Sequence, residues 1–137
     1  MNINTRQAQG SLVGIYLLFL AAGLAAIVYL ELSGKMFVDD AIQALVVLIK
    51  VYSVPLGVIL AGIFAIGKSR AQKVQTNPFV VAIAVSLIWN LLLAWRTAAY
   101  VAAVRSDVQT YIAGVQDVAA QASFLAAGAL TFFFAKR

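Results

Sequence analysis

Four long apolar stretches alternate with short polar ones along the 137-residue chain. The first runs from about Ser11 to Leu30 as SLVGIYLLFLAAGLAAIVYL and ends at the turn-forming Glu31-Leu32-Ser33-Gly34-Lys35. The second lies within Ala41 to Gly67 and is interrupted by Lys50 and Pro55. A basic loop, KSRAQKVQTN, occupies 68–77. Pro78 then stands where a first helical turn tolerates proline, since its missing N–H would have had no partner. The third stretch extends from Pro78 to Val104 around Asn90 and Arg96, and a more polar segment, 105–121, leads into a fourth that ends at Ala135. Apolar runs near twenty residues match the roughly 30 Å hydrocarbon core of a bilayer. The pattern predicts an all-α integral membrane protein of one domain, with four transmembrane helices over about 11–31, 44–67, 78–104 and 113–135.

Composition strengthens this reading. The chain is 64% apolar and 11% charged, whereas a soluble domain is about half apolar and a quarter charged, so there is too little polar surface to coat a water-facing globule. The absence of Cys and His excludes disulfides, thiolate zinc sites, bis-histidine haem and a histidine base. The acids are Glu31, Asp39, Asp40, Asp107 and Asp117, and no two share the i, i+3 or i+4 spacing of one helical face. There is no phosphate loop, nucleophile elbow or dinucleotide fingerprint. No enzyme activity, cofactor or metal is expected. The net charge of +5 is scattered along hydrophobic spans, which argues against a nucleic-acid partner.

Charge sorting gives the topology. Arg6, Lys68, Arg70, Lys73, Lys136 and Arg137 fall on the side holding both termini, while all five acids fall on the other with Lys35 and Arg105. The positive-inside rule puts both termini in the cytoplasm, as an even number of spans requires. Short loops and no targeting segment favour a bacterial inner membrane.

Lys50 and Arg96 are the charges within spans. Counting 18 residues back from Lys68 and forward from Pro78 reaches them, about 27 Å along each helix. Similar counts on the other helices reach Asp117 and Glu31, so four charges are expected at one height, the outer edge of the hydrocarbon. There Lys50 and Arg96 snorkel beside an aromatic belt of Tyr52, Trp95 and Tyr100, or pair with Glu31 or Asp117, or ring an anion-selecting vestibule in an oligomer. Residues 39–49, 97–105 and 107–116 beyond that height form a short helical cap, unless the helices tilt and the bilayer covers them.

In lipid, helix association leans on small side chains and polar contacts. The third span carries Ala82, Ser86, Asn90, Ala94, Ala98 and Ala102 at spacing four, the second Ser53, Gly57, Ala61 and Ala65, the fourth Ala119, Ser123, Ala127 and Thr131, and the first Ala22 and Ala26. This makes the third helix the central packing helix. Asn90, just past mid-membrane, needs a partner: an interhelical bond to a backbone carbonyl, Ser53 or Ser86, or a role lining a pore. Pro55 frees a carbonyl near Val51 and marks a kink or a hinge.

The size and span count resemble the small multidrug exporters in outline only. Those rely on a carboxylate within the first span, whereas the first acid here is Glu31, at the span's outer end. The sequence therefore supports a protein that works by assembling in the membrane. Either it is a homo-oligomeric channel-like or effector protein lined by Asn90, Ser86 and Ser53, or it is a non-conducting accessory or anchoring subunit of a larger complex.

Overall fold

The computed structural model describes residues 5–66, 76–103 and 107–135. These form four helices, α1 (Thr5–Leu32), α2 (Val38–Ile66), α3 (Thr76–Ala102) and α4 (Val108–Ala135), each long and apolar enough to cross a membrane. Most of the basic loop of 68–77, Arg105, Lys136, Arg137 and the Arg6 side chain lie outside the described residues. Three helices begin five or six residues before the predicted spans, because hydropathy marks where lipid ends and not where helical hydrogen bonding ends. The turns expected as a cap are continuous extensions of α2, α3 and α4.

The helix ends follow local chemistry. Gly34 adopts φ of 70°, a left-handed conformation that a residue without a Cβ takes at little cost. Gly34 N–H donates to the Glu31 carbonyl at 2.9 Å and Lys35 N–H to the Leu30 carbonyl at 3.0 Å, which together close α1 in a Schellman turn. Asp39 and Asp40 occupy the first turn of α2, where their charge complements the helix dipole. Pro78 lies in the first turn of α3, and Asp107, a favoured N-cap residue type, precedes α4.

Among the described residues α1 packs on α2 and α3, and α4 packs on α2 and α3, while α1–α4 and α2–α3 make no backbone approach. The order around the bundle is therefore α1–α2–α4–α3, and the consecutive helices α2 and α3 stand on a diagonal. Neighbouring helix axes lie 8–10 Å apart, so a diagonal spans roughly 11–14 Å. A gap of that width takes large side chains.

Aromatic contacts occur at three levels, and the middle one fills this gap. In the middle, Tyr16 of α1, Tyr52 of α2 and Trp89 of α3 meet with ring centroids 5.0–6.4 Å apart. Tyr52 and Trp89 bridge the diagonal. Tyr52 is therefore a core residue and not part of an outer belt, as its 2% exposure confirms. Nearer the chain termini, Phe79 of α3 packs on Phe133 of α4 at 5.8 Å, and Phe133 on Phe134 at 5.1 Å. At the opposite, hairpin end, Tyr100 stacks on Tyr111 at 4.6 Å. Each such pair contributes about 0.5–1.5 kcal/mol beyond area burial.

Phe134 lies across Gly62 of α2, where an added Cβ would sit 2.5 Å from the ring. Gly57, five residues earlier, meets nothing within 4 Å. Gly62→Ala should thus lower the unfolding free energy of the detergent-solubilised chain by about 1–3 kcal/mol through overpacking. Gly57→Ala should be neutral or slightly stabilising. Denaturant titration in mixed micelles measures both, and equal effects would contradict the placement of Phe134.

Candidate functional site

The buried polar groups of the bundle gather at two levels. At the middle layer, the Tyr16 hydroxyl donates to Ser86 Oγ at 3.1 Å, joining α1 to α3. One turn along α3, Asn90 is fully buried, and its Nδ2 donates to the Ser86 backbone carbonyl at 2.7 Å. The bond expected between helices is thus made within α3. Asn90 Oδ1 and the neighbouring Trp89 Nε1 have no hydrogen-bond partner among the described residues. Toward the hairpin end, Thr97 donates to the Leu93 carbonyl at 3.1 Å. Its proton is then committed, so Tyr111 is the donor in the 3.1 Å Tyr111–Thr97 bond that ties α4 to α3.

Ser86 and Asn90 come together as the sequence suggested; Ser53 does not join them. Ser53 is exposed on α2 and donates to the Lys50 carbonyl of its own helix at 2.6 Å. Gly57 and Ala61 also face outward, so this ridge packs against nothing within the chain. Pro55, between them, is buried in the core. The α3 ridge divides. Ala82, Ser86 and Asn90 are buried, whereas Ala94 and Ala98 line a groove of about 370 Å³ with Ala22 and Ala26 of α1, floored by Tyr52 and Leu93. Helices α1 and α3 are close near the terminal end and part toward the hairpin end, so α3 is a central packing helix over only half its length.

The four charges do not share one height. Glu31 stands one residue before the end of α1, next to the turn. Arg96 reaches along α3 over Gly114 of α4, where an added Cβ would lie 3.7 Å from its Cδ, Nε and Cζ. Gln43 of α2 and Gln109 of α4 are bonded at 3.0 Å. Lys50 is seven residues beyond the first and Asp117 eight beyond the second, about 10 and 12 Å down parallel helices. Lys50 and Asp117 are therefore level and near mid-bundle. Both are exposed, and no ion pair joins Lys50 or Arg96 to Glu31 or Asp117 among the described residues.

The sequence reading missed Tyr16, Trp89, Thr97 and Tyr111. For Tyr16 and Trp89 a signal was present, since a hydroxyl or indole N–H in the middle of an apolar run needs an internal partner; Thr97 and Tyr111 fall in the segments expected as a cap, where nothing marked them.

Comparison with protein-family models, with curated proteins and with solved structures finds no match. The helices alone define the class, a small multipass membrane protein built on four apolar helices.

The unpaired Asn90 Oδ1 suggests a direct test. Asn90→Leu removes an unsatisfied acceptor while keeping the number and branching of side-chain heavy atoms, so stability should hold or rise by about 1 kcal/mol. Asn90→Asp places a carboxylate in the same dry site and should destabilise by at least about 2 kcal/mol. Unfolding in mixed micelles ranks the two variants; the reverse order would contradict a dry, locally satisfied Asn90.

Proposed function

We propose that the protein acts by lateral assembly in a bilayer, as a non-conducting, non-catalytic subunit. In this reading both termini face the cytoplasm of a bacterial inner membrane, as the distribution of basic residues favours. The observation that supports the non-conducting role most strongly is the closed middle layer. Tyr16, Tyr52 and Trp89 occupy the diagonal gap, and the amide and hydroxyl beside them bond to each other's helices or to their own backbone. No charged side chain is buried there among the described residues. A permeating ion would meet three packed rings and no buried charge along the bundle axis among the described residues.

A homo-oligomeric channel is the second reading. One observation favours it: Lys50, Ser53, Gln116, Asp117 and Gln121 all face outward on α2 and α4, and several copies arranged with these faces inward would surround a polar axis. Asn90 and Ser86, buried in each bundle, would not line it.

Planar-bilayer recording of the purified, reconstituted protein separates the two. The proposal expects no current above that of protein-free lipid under a salt gradient. Discrete openings whose selectivity changes in Lys50→Ala or Asp117→Asn would overturn it in favour of the channel.

A further inference from the structure

The mid-section of the bundle has two unlike surfaces. On α1 and α3 the outward side chains include Leu17, Leu18, Val28, Ile88 and Leu91, as lipid contact demands; Arg96, folded over Gly114, is the one charged exception among the described residues there. On α2 and α4 the outward positions at the same depth include Lys50, Ser53, Gln116, Asp117 and Gln121. Since α2 and α4 are neighbours running in the same direction, Lys50 and Asp117 stand beside each other on the outer surface of this helix pair. That side has a cation and a carboxylate level with each other, both exposed and neither with a partner among the described residues. Ionised groups facing hydrocarbon are costly unless paired.

We infer that this side is a self-association surface and that its occupant is a second copy of the chain. The inference rests on the proposed lateral assembly and adds the face, the partner and the contact. All copies insert with the same orientation, so two molecules meeting face to face are related by a two-fold axis along the membrane normal. That operation lays α2 of one protomer beside α4 of the other, twice. It brings Lys50 to Asp117 of the partner subunit and Asp117 to the partner's Lys50. The face supplies equal and opposite charges at one depth, which a two-fold neutralises without a third component. Gly57 and Ala61 on α2 and Ala113 and Ala120 on α4 are exposed and small, so the backbones come close enough for the pair to form. Arg96 approaches α4 from its α3 flank, over Gly114, and competes for Asp117 only within a chain.

The chain has no cysteine, so introduced thiols report contacts without background. Two differently tagged chains, one Lys50→Cys and one Asp117→Cys, are co-reconstituted in vesicles at high lipid excess and oxidised. A mixed-tag disulfide dimer is expected at several-fold higher yield than from Lys50→Cys alone or from Leu18→Cys paired with Leu91→Cys. In parallel, photobleaching steps are counted for cysteine-free fluorescent fusions. Lys50→Asp and Asp117→Lys should each lower the two-step fraction about tenfold, the combined exchange should restore it, and Arg96→Ala should leave it unchanged. Two-step bleaching with crosslinks only at the α1 and α3 control sites would overturn this surface and leave lateral assembly standing. Single-step bleaching of the unaltered chain at every lipid ratio would overturn both.

Discussion

A helix bundle in lipid has no hydrophobic force to hold its interior closed, because acyl chains are as apolar as leucine. What holds it must come from shape and from polar contacts. Here the critical shape is the diagonal gap between α2 and α3, and Tyr52 and Trp89 fill it with rings 5.0 Å apart. Tyr16 completes the layer and adds a bond to Ser86. The order α1–α2–α4–α3 follows, because two large rings on a diagonal leave small residues to serve the remaining helix. Counting between the Phe79–Phe133 and Tyr111–Thr97 contacts, Trp89 is level with about Gln121 of α4. Ala119, Ala122, Ser123 and Ala126 around that point are all small.

The same constraint sorts the polar groups. Inside, the bonds are made close to home: Tyr16 on Ser86, the Asn90 Nδ2 on its own helix, Tyr111 on Thr97, while Asn90 Oδ1 and Trp89 Nε1 have no partner among the described residues. Interhelical bonds of this kind are worth only about 0.6–1.7 kcal/mol in a membrane. They fix the register of helices already positioned by the aromatic layers. At mid-depth the remaining charge is turned outward, with Lys50 on α2 and Asp117 on the neighbouring α4. That arrangement has no value for an isolated bundle surrounded by lipid, which gains nothing from a lysine and an aspartate facing it.

Much of the fold was legible in the sequence, because apolar run length, the Gly34 turn and the placement of Pro78 are local properties. The direction in which each ridge faces was not. Ser53, Gly57 and Ala61 have the spacing of a packing face, but their helix presents Leu48, Tyr52, Pro55 and Ile59 inward instead. Periodicity finds a face without saying what meets it. The diagonal arrangement of α2 and α3 was equally hidden, and with it the inward role of Tyr52. Counting residues from loop edges also misjudged the charges. It assumed that helices end at a common plane, whereas Glu31 sits by the turn and Lys50 and Asp117 lie several turns into α2 and α4.

The central claim is that the middle layer is dry and shut. The two tryptophans test it, since Trp89 is 1% exposed within that layer and Trp95, six residues on, is 73% exposed. Single-tryptophan chains, Trp95→Phe and Trp89→Phe, reconstituted in vesicles, report the two positions separately. Trp89 emission should be quenched neither by aqueous acrylamide nor by lipids brominated on their acyl chains, while Trp95 should be quenched strongly by brominated lipid. Acrylamide quenching of Trp89 comparable to that of a free indole would contradict the account.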